Sequence, residues 1–262
     1  MIPKIIHYCW FGGNPKPEII EKCIKSWCKH CPDWEIKEWN ESNYDVNVHP
    51  YVKEAYEAKK WAFVSDVARL EIIYNCGGVY MDTDVELYGP LDRFIENDAF
   101  YIFETDRNIA SGLGFGAKAG HCSLKEMLTS YEGRHFFVKG KQDLSPCPAK
   151  NTEALCSIYP DFRRNGKTQL LDGCLILSGG EYASFAHHHG TASWVEGNKG
   201  NHKFKDTKLK RFLRKPTRFD WIEKHLGKKV TAIYTFLVYD LLEMGSMFYI
   251  KRLISKIKRD KQ

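Results

Sequence analysis

The chain has 262 residues, 43% of them hydrophobic, and a net charge of +6. This length can bury one large core, with or without an appendage, and the sequence contains no low-complexity tract or internal repeat. Nine cysteines, an odd number in so long a chain, exclude a disulfide scaffold. Cys28 and Cys31 have CxxC spacing but no second Cys/His pair at zinc-ribbon distance, so we expect reduced thiols there rather than zinc.

The first 60 residues alternate between strand-like and helix-like patterns. A β-branched apolar run predicts a buried strand, and apolar residues at helical spacing predict a helix. These patterns predict, in order, a strand over residues 4–10, a helix over 17–31, a strand over 34–39 and a helix over 50–60. The first ten residues lack the basic and long apolar regions of a signal peptide, so we expect a cytoplasmic protein.

The clearest helix covers residues 62–76. Its apolar residues recur at positions i, i+4, i+7 and i+11, which predicts a single core-facing stripe: Phe63, Val67, Leu70 and Tyr74. Gly77 is placed to end this helix.

Strands are predicted after this helix over residues 79–85 and 99–105, and beyond residue 110 the pattern weakens, with one further helix over 123–131. Strands that alternate with helices predict an α/β fold with a mostly parallel central sheet. We expect one catalytic domain over residues 1–200 and a basic, helical region over 201–262.

Two carboxylates lie close together in the predicted strand over residues 79–85. At a period of two, Tyr80, Asp82 and Asp84 point to one face. In open α/β sheets, ligands bind at the carboxyl ends of strands, and carboxylate oxygens suit Mg²⁺ or Mn²⁺. The alternative is a strand that simply runs out into solvent, because a DxD pattern alone is weak.

The preceding helix strengthens the metal hypothesis. Asp66 and Arg69 are three residues apart and share a helix face. Two glycines allow only a tight reversal between this helix and the DxD strand, so we expect both residues to converge with Asp82 and Asp84 on one crevice. The alternative is an ordinary surface ion pair of little energetic value.

Two further stretches could contribute to such a site. The sequence AHHHGTASW at residues 186–194 offers imidazole ligands, although each single histidine is as compatible with a polar loop. Trp10 follows the first strand and precedes two glycines, where an aromatic ring can stack on a nucleobase or belong to the core.

In this order, the stretches IPKIIHYCWFGG, AFVSDVARLEIIYNCGGVYMDTDVE and HHHGTASW resemble the DxD-containing sugar-transferase family. That family includes yeast-type mannosyltransferases and bacterial capsule and lipopolysaccharide glycosyltransferases, and it is distantly similar to the glucosyltransferase domains of clostridial toxins. The resemblance covers residues 2–194 and is strongest over 62–86. It implies a GT-A-type fold, a nucleotide-sugar donor, with a UDP-hexose favoured, and Mn²⁺ or Mg²⁺.

The resemblance also implies roles for individual residues. Trp10 would stack on uracil, Ser65 and Tyr80 would line the donor site, and Asp66 and Arg69 would hold sugar hydroxyls. Asp84 would bind the metal directly, with His188 or His189 as a further ligand. Asp82, also among the candidate metal ligands, would bond ribose or sugar hydroxyls, often through the water of the metal. Ser193 and Trp194 would close over the diphosphate. The family's short T-G-P stretch is not matched, since the nearest segment, AKNTEAL at residues 149–155, differs.

The resemblance implies a hexosyltransferase with Asp66, Arg69, Asp82 and Asp84 as its catalytic group. By resemblance only, we expect it to act in surface polysaccharide synthesis on a saccharide or lipid-linked acceptor. Enzymes with this layout mostly retain the anomeric configuration. The alternatives are a metal-dependent phosphohydrolase or nucleotidyltransferase, and a membrane-associated binding protein without catalysis.

The charge is unevenly distributed along the chain. Residues 199–262 carry 18 Lys and Arg against 6 Asp and Glu, a net +12, whereas residues 1–198 carry a net −6. Within this tail, residues 230–250 are apolar but contain Asp240 and Glu243, so we expect the segment to lie on an anionic membrane or to dock on the body rather than to span a bilayer. No nucleic-acid motif is present, and we expect a location at the inner face of the plasma membrane.

Overall fold

A computed structural model describes residues 1–104, 108–145 and 147–190. The helices are α1 (Glu18–His30), α2 (Pro50–Glu57), α3 (Trp61–Cys76), α4 (Cys122–Thr129), α5 (Cys147–Ile158) and α6 (Gly179–Tyr182), with a 3₁₀ turn at Asp92–Phe94. The strands are β1 (Ile5–Cys9), β2 (Glu35–Trp39), β3 (Gly78–Tyr80), β4 (Val85–Leu87), β5 (Ala99–Ile102), β6 (Phe115–Ala117), β7 (Phe137–Val138), β8 (Lys141–Gln142), β9 (Gln169–Leu171), β10 (Cys174–Leu177) and β11 (Ala186–His188). Within these residues, no helix is both long and apolar enough to cross a membrane.

A seven-stranded sheet organises the described part of the chain. Its strand order is β2-β1-β3-β6-β5-β10-β9. Strand β1 pairs in parallel with β2 and β3, and β5 pairs in parallel with β10, while β6 and β9 run antiparallel to their neighbours. Five of the seven strands therefore share one direction, which confirms the predicted α/β class and mostly parallel sheet. Two short two-stranded sheets, β4 with β11 and β7 with β8, lie outside it.

Hydrophobic clusters cover both faces of this sheet. On one face, Trp27 of α1 packs with Val79 and Phe100. On the other, α2, α3, α4 and α5 contribute side chains that pack with Tyr80 and Phe115. Successive residues of β3, Val79 and Tyr80, fall in opposite clusters because side chains alternate along a strand. The core is thus a helix–sheet–helix sandwich.

Helix α3 is the most enclosed helix, and the predicted single stripe describes only part of its burial. Val64, Ala68 and Ile73 are fully buried outside that stripe, and Ser65 and Arg69 are buried as well. Packing against β1 and β3 on one side and against α2 and α4 on the other accounts for this, because a helix inside a domain can be apolar nearly all round.

The structure corrects two of the predicted strands and adds one helix that the sequence patterns did not predict. The strand predicted over residues 79–85 is wrong in its second half: β3 ends at Tyr80, a turn follows, and Val85 begins β4 in a different sheet. The strand predicted over 99–105 ends at Ile102. Helix α5 was missed because its apolar residues do not form a clear helical stripe. The helices and strands of the first 76 residues are confirmed within a few residues of their predicted ends.

Candidate active site

Two glycines bring α3 next to the acidic turn. Gly77 and Gly78 have φ angles of +66° and +103°, which L side chains rarely adopt. An added Cβ on Gly78 would lie 2.8 Å from the Nε2 atom of His7. The His7 ring fixes this reversal, since one ring nitrogen bonds the carbonyl of Gly77 at 3.0 Å and the other accepts from the Trp39 indole at 2.9 Å. The predicted tight turn is confirmed.

The acidic turn that follows presents its side chains towards the carboxyl ends of β1 and β3. The backbone N–H of Asp82 donates to the carbonyl of Gly112 at 3.1 Å, and the N–H of Val85 donates back to the carbonyl of Asp82 at 3.0 Å. Asp82 and Asp84 therefore sit on a hydrogen-bonded turn rather than on an extended strand. The Asp84 side chain is 9% exposed and that of Asp82 is 27% exposed.

Arg69 joins the helix to the turn. Its guanidinium lies 3.2 Å from the carboxylates of both Asp66 and Asp82. The Tyr80 hydroxyl donates to the same Asp82 oxygen at 3.1 Å, and the guanidinium lies 4.9 Å from the centre of the Tyr80 ring. Burial opposes the charge of Arg69, but Asp82, Tyr80 and Asp66 hold its pKa well above the ordinary value. Burial also raises the pKa of Asp66, and Arg69 counteracts that effect.

A histidine reaches the acidic turn from a distant part of the sequence. Strand β11 pairs antiparallel with β4, which places His188 opposite Val85. The Nε2 atom of His188 lies 3.0 Å from Asp84 Oδ1. Burial would lower the pKa of His188, but Asp84 outweighs it and raises that pKa to about 9. Ligand atoms of Asp82, Asp84 and His188 all lie within 4.8 Å of one another.

This set of donors fits a hard divalent cation. Two carboxylates and one imidazole are the ligand types that Mn²⁺ accepts, and carboxylates also suit Mg²⁺. His189 points elsewhere, because its Nε2 atom lies 3.0 Å from Glu86, which also pairs with Lys22 at 2.7 Å. Burial raises the pKa of Glu86, but these two partners prevail and bring it to about 2.

A cleft of about 410 Å³ opens beside this cluster. Its lining includes the predicted donor-site residues Trp10, Ser65 and Tyr80 together with Asp84 and His188. The Trp10 indole donates to the carbonyl of Asn14 at 2.7 Å, which fixes the plane of the ring at the cleft wall. The Ser65 hydroxyl donates to the Ala62 carbonyl at 2.8 Å and accepts from Arg69 at 3.1 Å.

A second cavity, of about 230 Å³, adjoins the first, and Arg69, Asp82 and His188 line both. Asp66 faces this smaller cavity, whose remaining wall is largely apolar: Phe63, Ala110, Leu113, Leu144, Cys147 and Pro148. The sequence interpretation missed this wall. Its one visible signal was the glycine-rich stretch at residues 112–116, where Gly112 leaves room for Asp82: an added Cβ there would overlap the carboxylate.

Two groups of predicted residues are not part of the cluster described above. Ser193, Trp194 and the whole of residues 201–262 lie outside the described residues and stay predictions. The segment 149–155 falls inside α5, where the Asn151 side chain donates to the Ser111 hydroxyl at 3.2 Å and the Arg69 guanidinium approaches the same oxygen at 3.5 Å. Helix α5 therefore supports the side chain of Arg69 through Asn151 and Ser111.

Residues 17–101 match a family described as the glycosyltransferase sugar-binding region containing the DXD motif. Two proteins of Schizosaccharomyces pombe are similar to the chain: inositol phosphoceramide mannosyltransferase 1, 28% identical over 52% of this chain, and inositol phosphoceramide mannosyltransferase 3, 28% identical over 48%. The alignments cover 45% and 36% of those proteins, so the chain spans less than half the length of these relatives. A solved structure, PaToxG Glycosyltransferase, superposes with a TM-score of 0.49 at 16% identity and covers 61% of this chain and 70% of that one.

The predicted resemblance to the DxD-containing sugar transferases is confirmed by the family match. Residues 17–101 run from α1 to β5 and include Asp66, Arg69 and both aspartates of the acidic turn. Trp10 and His188 lie outside the matched segment, so their place at the site rests on the geometry above.

Proposed function

We propose that this chain, whose residues 17–101 match the sugar-binding region of DXD glycosyltransferases, moves a hexose from a nucleotide-sugar to a saccharide or lipid-linked acceptor. The observation that carries the proposal is the meeting of the Asp82–Asp84–His188 cluster with the Asp66–Arg69 pair between two cavities. One cavity has the nucleotide-binding residue types and the other has room for an acceptor.

Proteins of this family generally use a divalent metal ion and a nucleotide-sugar, and the ligand atoms of Asp82, Asp84 and His188 suit such an ion. Asp84 and His188 would hold the ion, with Asp82 as a further ligand or as the acceptor of a hydrogen bond from a bound water. Bound there, a divalent cation would neutralise the charge that develops on the departing diphosphate. We favour Mn²⁺ because imidazole is among the donors.

The remaining residues would bind and orient the donor. Trp10 offers a flat, fixed ring at the mouth of the larger cleft, suited to stacking on a base. Arg69, which lines both cavities, presents donor groups for sugar hydroxyls, and Asp66, which lines the smaller cavity, presents an acceptor where the sugar reaches it. Their mutual ion pair fixes both in place before substrate arrives. Orientation of this kind contributes several kcal/mol to catalysis.

We propose transfer with retention of configuration. The acceptor hydroxyl would attack from the side of the departing diphosphate, and a phosphate oxygen would take its proton. This route requires no covalent nucleophile on the protein, and the pairing of Asp66 and Asp82 with Arg69 favours positioning roles for these carboxylates.

The donor sugar and pathway belong to the proposal as well. A UDP-hexose and a role in the synthesis of surface polysaccharide or lipopolysaccharide are our preferred assignment, with the enzyme at the cytoplasmic face of the plasma membrane. The two yeast relatives are named as mannosyltransferases that act on a lipid, which makes mannose the second sugar to test and supports a lipid-linked acceptor.

A donor-hydrolysis screen tests the proposal. The purified chain is incubated with UDP- and GDP-sugars plus Mn²⁺, and release of nucleoside diphosphate is followed. We expect slow release from one donor, with loss of activity on EDTA addition and recovery with Mn²⁺. Release of inorganic phosphate or pyrophosphate instead would favour the phosphohydrolase or nucleotidyltransferase, and binding without turnover of any donor would favour a binding protein.

A further inference from the structure

Half of the large exposed hydrophobic side chains of the described residues lie close together in the sequence. Six such side chains are exposed, and three of them, Phe137, Val138 and Leu144, lie within eight residues of one another. Single exposed hydrophobic residues are ordinary, but a local concentration points to an interaction surface.

The first two of these residues form β7 of a hairpin that is also basic. We call residues 134–142, with the sequence RHFFVKGKQ, the basic hairpin. It contains Arg134, Lys139 and Lys141 and no acidic residue, and both lysines are exposed. The domain body that carries this hairpin has an overall negative charge, so the local positive charge is not a general property of the surface.

The hairpin is held rigidly, so its exposed side chains have a fixed direction. Phe136, just before β7, is fully buried and packs 5.3 Å from Phe63 between ring centres. The backbone N–H of Phe137 donates to Glu54 at 3.0 Å. Lys139 and Gly140 both have positive φ angles, +51° and +76°, as a tight two-residue hairpin turn requires.

The basic hairpin lies beside the mouth of the smaller cavity. Leu144, two residues after the hairpin, is 47% exposed and also lines that cavity together with Asp66. Phe63, which packs against the hairpin's buried Phe136, lines the same cavity. Exposed apolar side chains therefore lie both on the hairpin, at Phe137 and Val138, and at the mouth of the cavity proposed for the acceptor, at Leu144.

We propose that the basic hairpin docks on an anionic lipid bilayer, with Phe137 and Val138 in the interfacial region and Lys139 and Lys141 against the lipid headgroups. Exposed apolar side chains flanked by lysines have the chemistry that binds such interfaces, and each lysine near the surface strengthens binding. Docking here would turn the smaller cavity towards the membrane. The docking surface lies within the described residues, and the proposal does not depend on the identity of the reaction.

Flotation with vesicles tests the docking surface on the full chain. Vesicles of phosphatidylcholine with phosphatidylglycerol are compared with phosphatidylcholine alone, at low and high salt. We expect Phe137→Ser combined with Val138→Ser to weaken binding to anionic vesicles about tenfold and Lys141→Gln about fivefold, with the lysine effect fading at high salt. Val48→Ser and Lys29→Gln, exposed residues of the same types elsewhere, serve as matched controls.

The outcomes separate this proposal from the enzymatic one. Hairpin variants that lose vesicle binding and keep the donor-hydrolysis rate support docking. Wild-type binding equal on both vesicle types, no wild-type binding, or equal losses in hairpin and control variants would overturn it, the last because the surface would then be unspecific. Donor hydrolysis is measured without vesicles, so failure of the transferase proposal leaves the binding result unaffected.

Discussion

The two walls of the site differ in chemistry and in origin. The wall formed by α3 and the acidic turn is polar, and Arg69, Asp66, Asp82 and Tyr80 lock it together with contacts of 3.1 to 3.2 Å. It comes from a continuous stretch of about twenty residues. The facing wall of the smaller cavity is largely apolar, and its residues come from α3, the segment after β5, the segment after β8 and the start of α5.

This difference suits the two walls to different tasks: the polar wall to chemistry and the apolar wall to recognition. Groups that hold charge must be placed to within fractions of an ångström, and a helix joined to a turn by two glycines provides that placement. An apolar wall assembled from loops can vary in shape without disturbing the charged groups. In the proposed reaction the polar wall would carry the activity, and the apolar wall would set the specificity for an acceptor.

Removing a charge from the polar wall should have the largest effect. We expect Asp84→Asn to lower the rate of donor hydrolysis about a thousandfold, because loss of a carboxylate ligand removes several kcal/mol of charge stabilisation at the leaving diphosphate. Asp161→Asn, at a side chain that is 90% exposed, is the matched control. Mn²⁺ binding measured by calorimetry should weaken in parallel. A variant that keeps the wild-type rate would remove Asp84 from the mechanism.

The reversal that supports the polar wall should make the protein sensitive to acid. Burial lowers the pKa of His7 to about 4 from an ordinary value of 6.5. Between pH 6.5 and 4, His7 therefore binds a proton in the unfolded chain but not in the folded chain. The free energy of unfolding is thus highest above pH 6.5 and falls as the pH drops to 4. The loss attributable to His7 is about 3 kcal/mol.

Urea denaturation at several pH values measures this contribution. His7→Gln keeps a neutral side chain with a donor and an acceptor and cannot titrate, so its stability curve should be flatter than that of the wild type between pH 6.5 and 4. Parallel curves for the two proteins would show that the acid sensitivity lies in other groups. The comparison depends on the slopes and not on the absolute stability, which the substitution itself lowers.

The same contrast between the walls explains which residues of the site could be predicted from the sequence. Asp66, Arg69, Asp82 and Asp84 lie within 19 residues, and helical spacing plus a forced glycine turn were enough to predict that they converge. The register of β11 on β4 brings the side chain of His188, and not that of His189, to the Asp84 carboxylate, and it depends on long-range pairing that no local pattern encodes. Gly112 and Cys147 were missed for the same reason, since only the folded sheet brings them near Asp82 and Asp66.

A substitution at Gly112 tests the position where the two walls meet. A Cβ at this position would overlap the Asp82 carboxylate, and the residue does not have the positive φ that would strain an alanine. We expect Gly112→Ala to displace Asp82 and lower kcat/KM for the donor about a hundredfold, the cost of a misplacement near 1 Å. Gly180→Ala adds the same methyl group where no atom lies within 4 Å, and should leave the rate unchanged. Equal rates for both variants would mean that Asp82 tolerates displacement.

The apolar wall should respond more weakly and in a different parameter. Leu144→Asn removes part of the apolar surface of the smaller cavity, so we expect KM for an acceptor to rise about threefold to tenfold, as a partly buried leucine side chain contributes roughly 1 kcal/mol. Donor hydrolysis should fall much less than transfer, because the substitution removes none of the charged groups that we assign to the donor. Leu170→Asn, 64% exposed on strand β9, is the matched control for a lost exposed leucine. A larger change in donor hydrolysis than in transfer would assign this wall to the donor, and the two cavities would then exchange their proposed occupants.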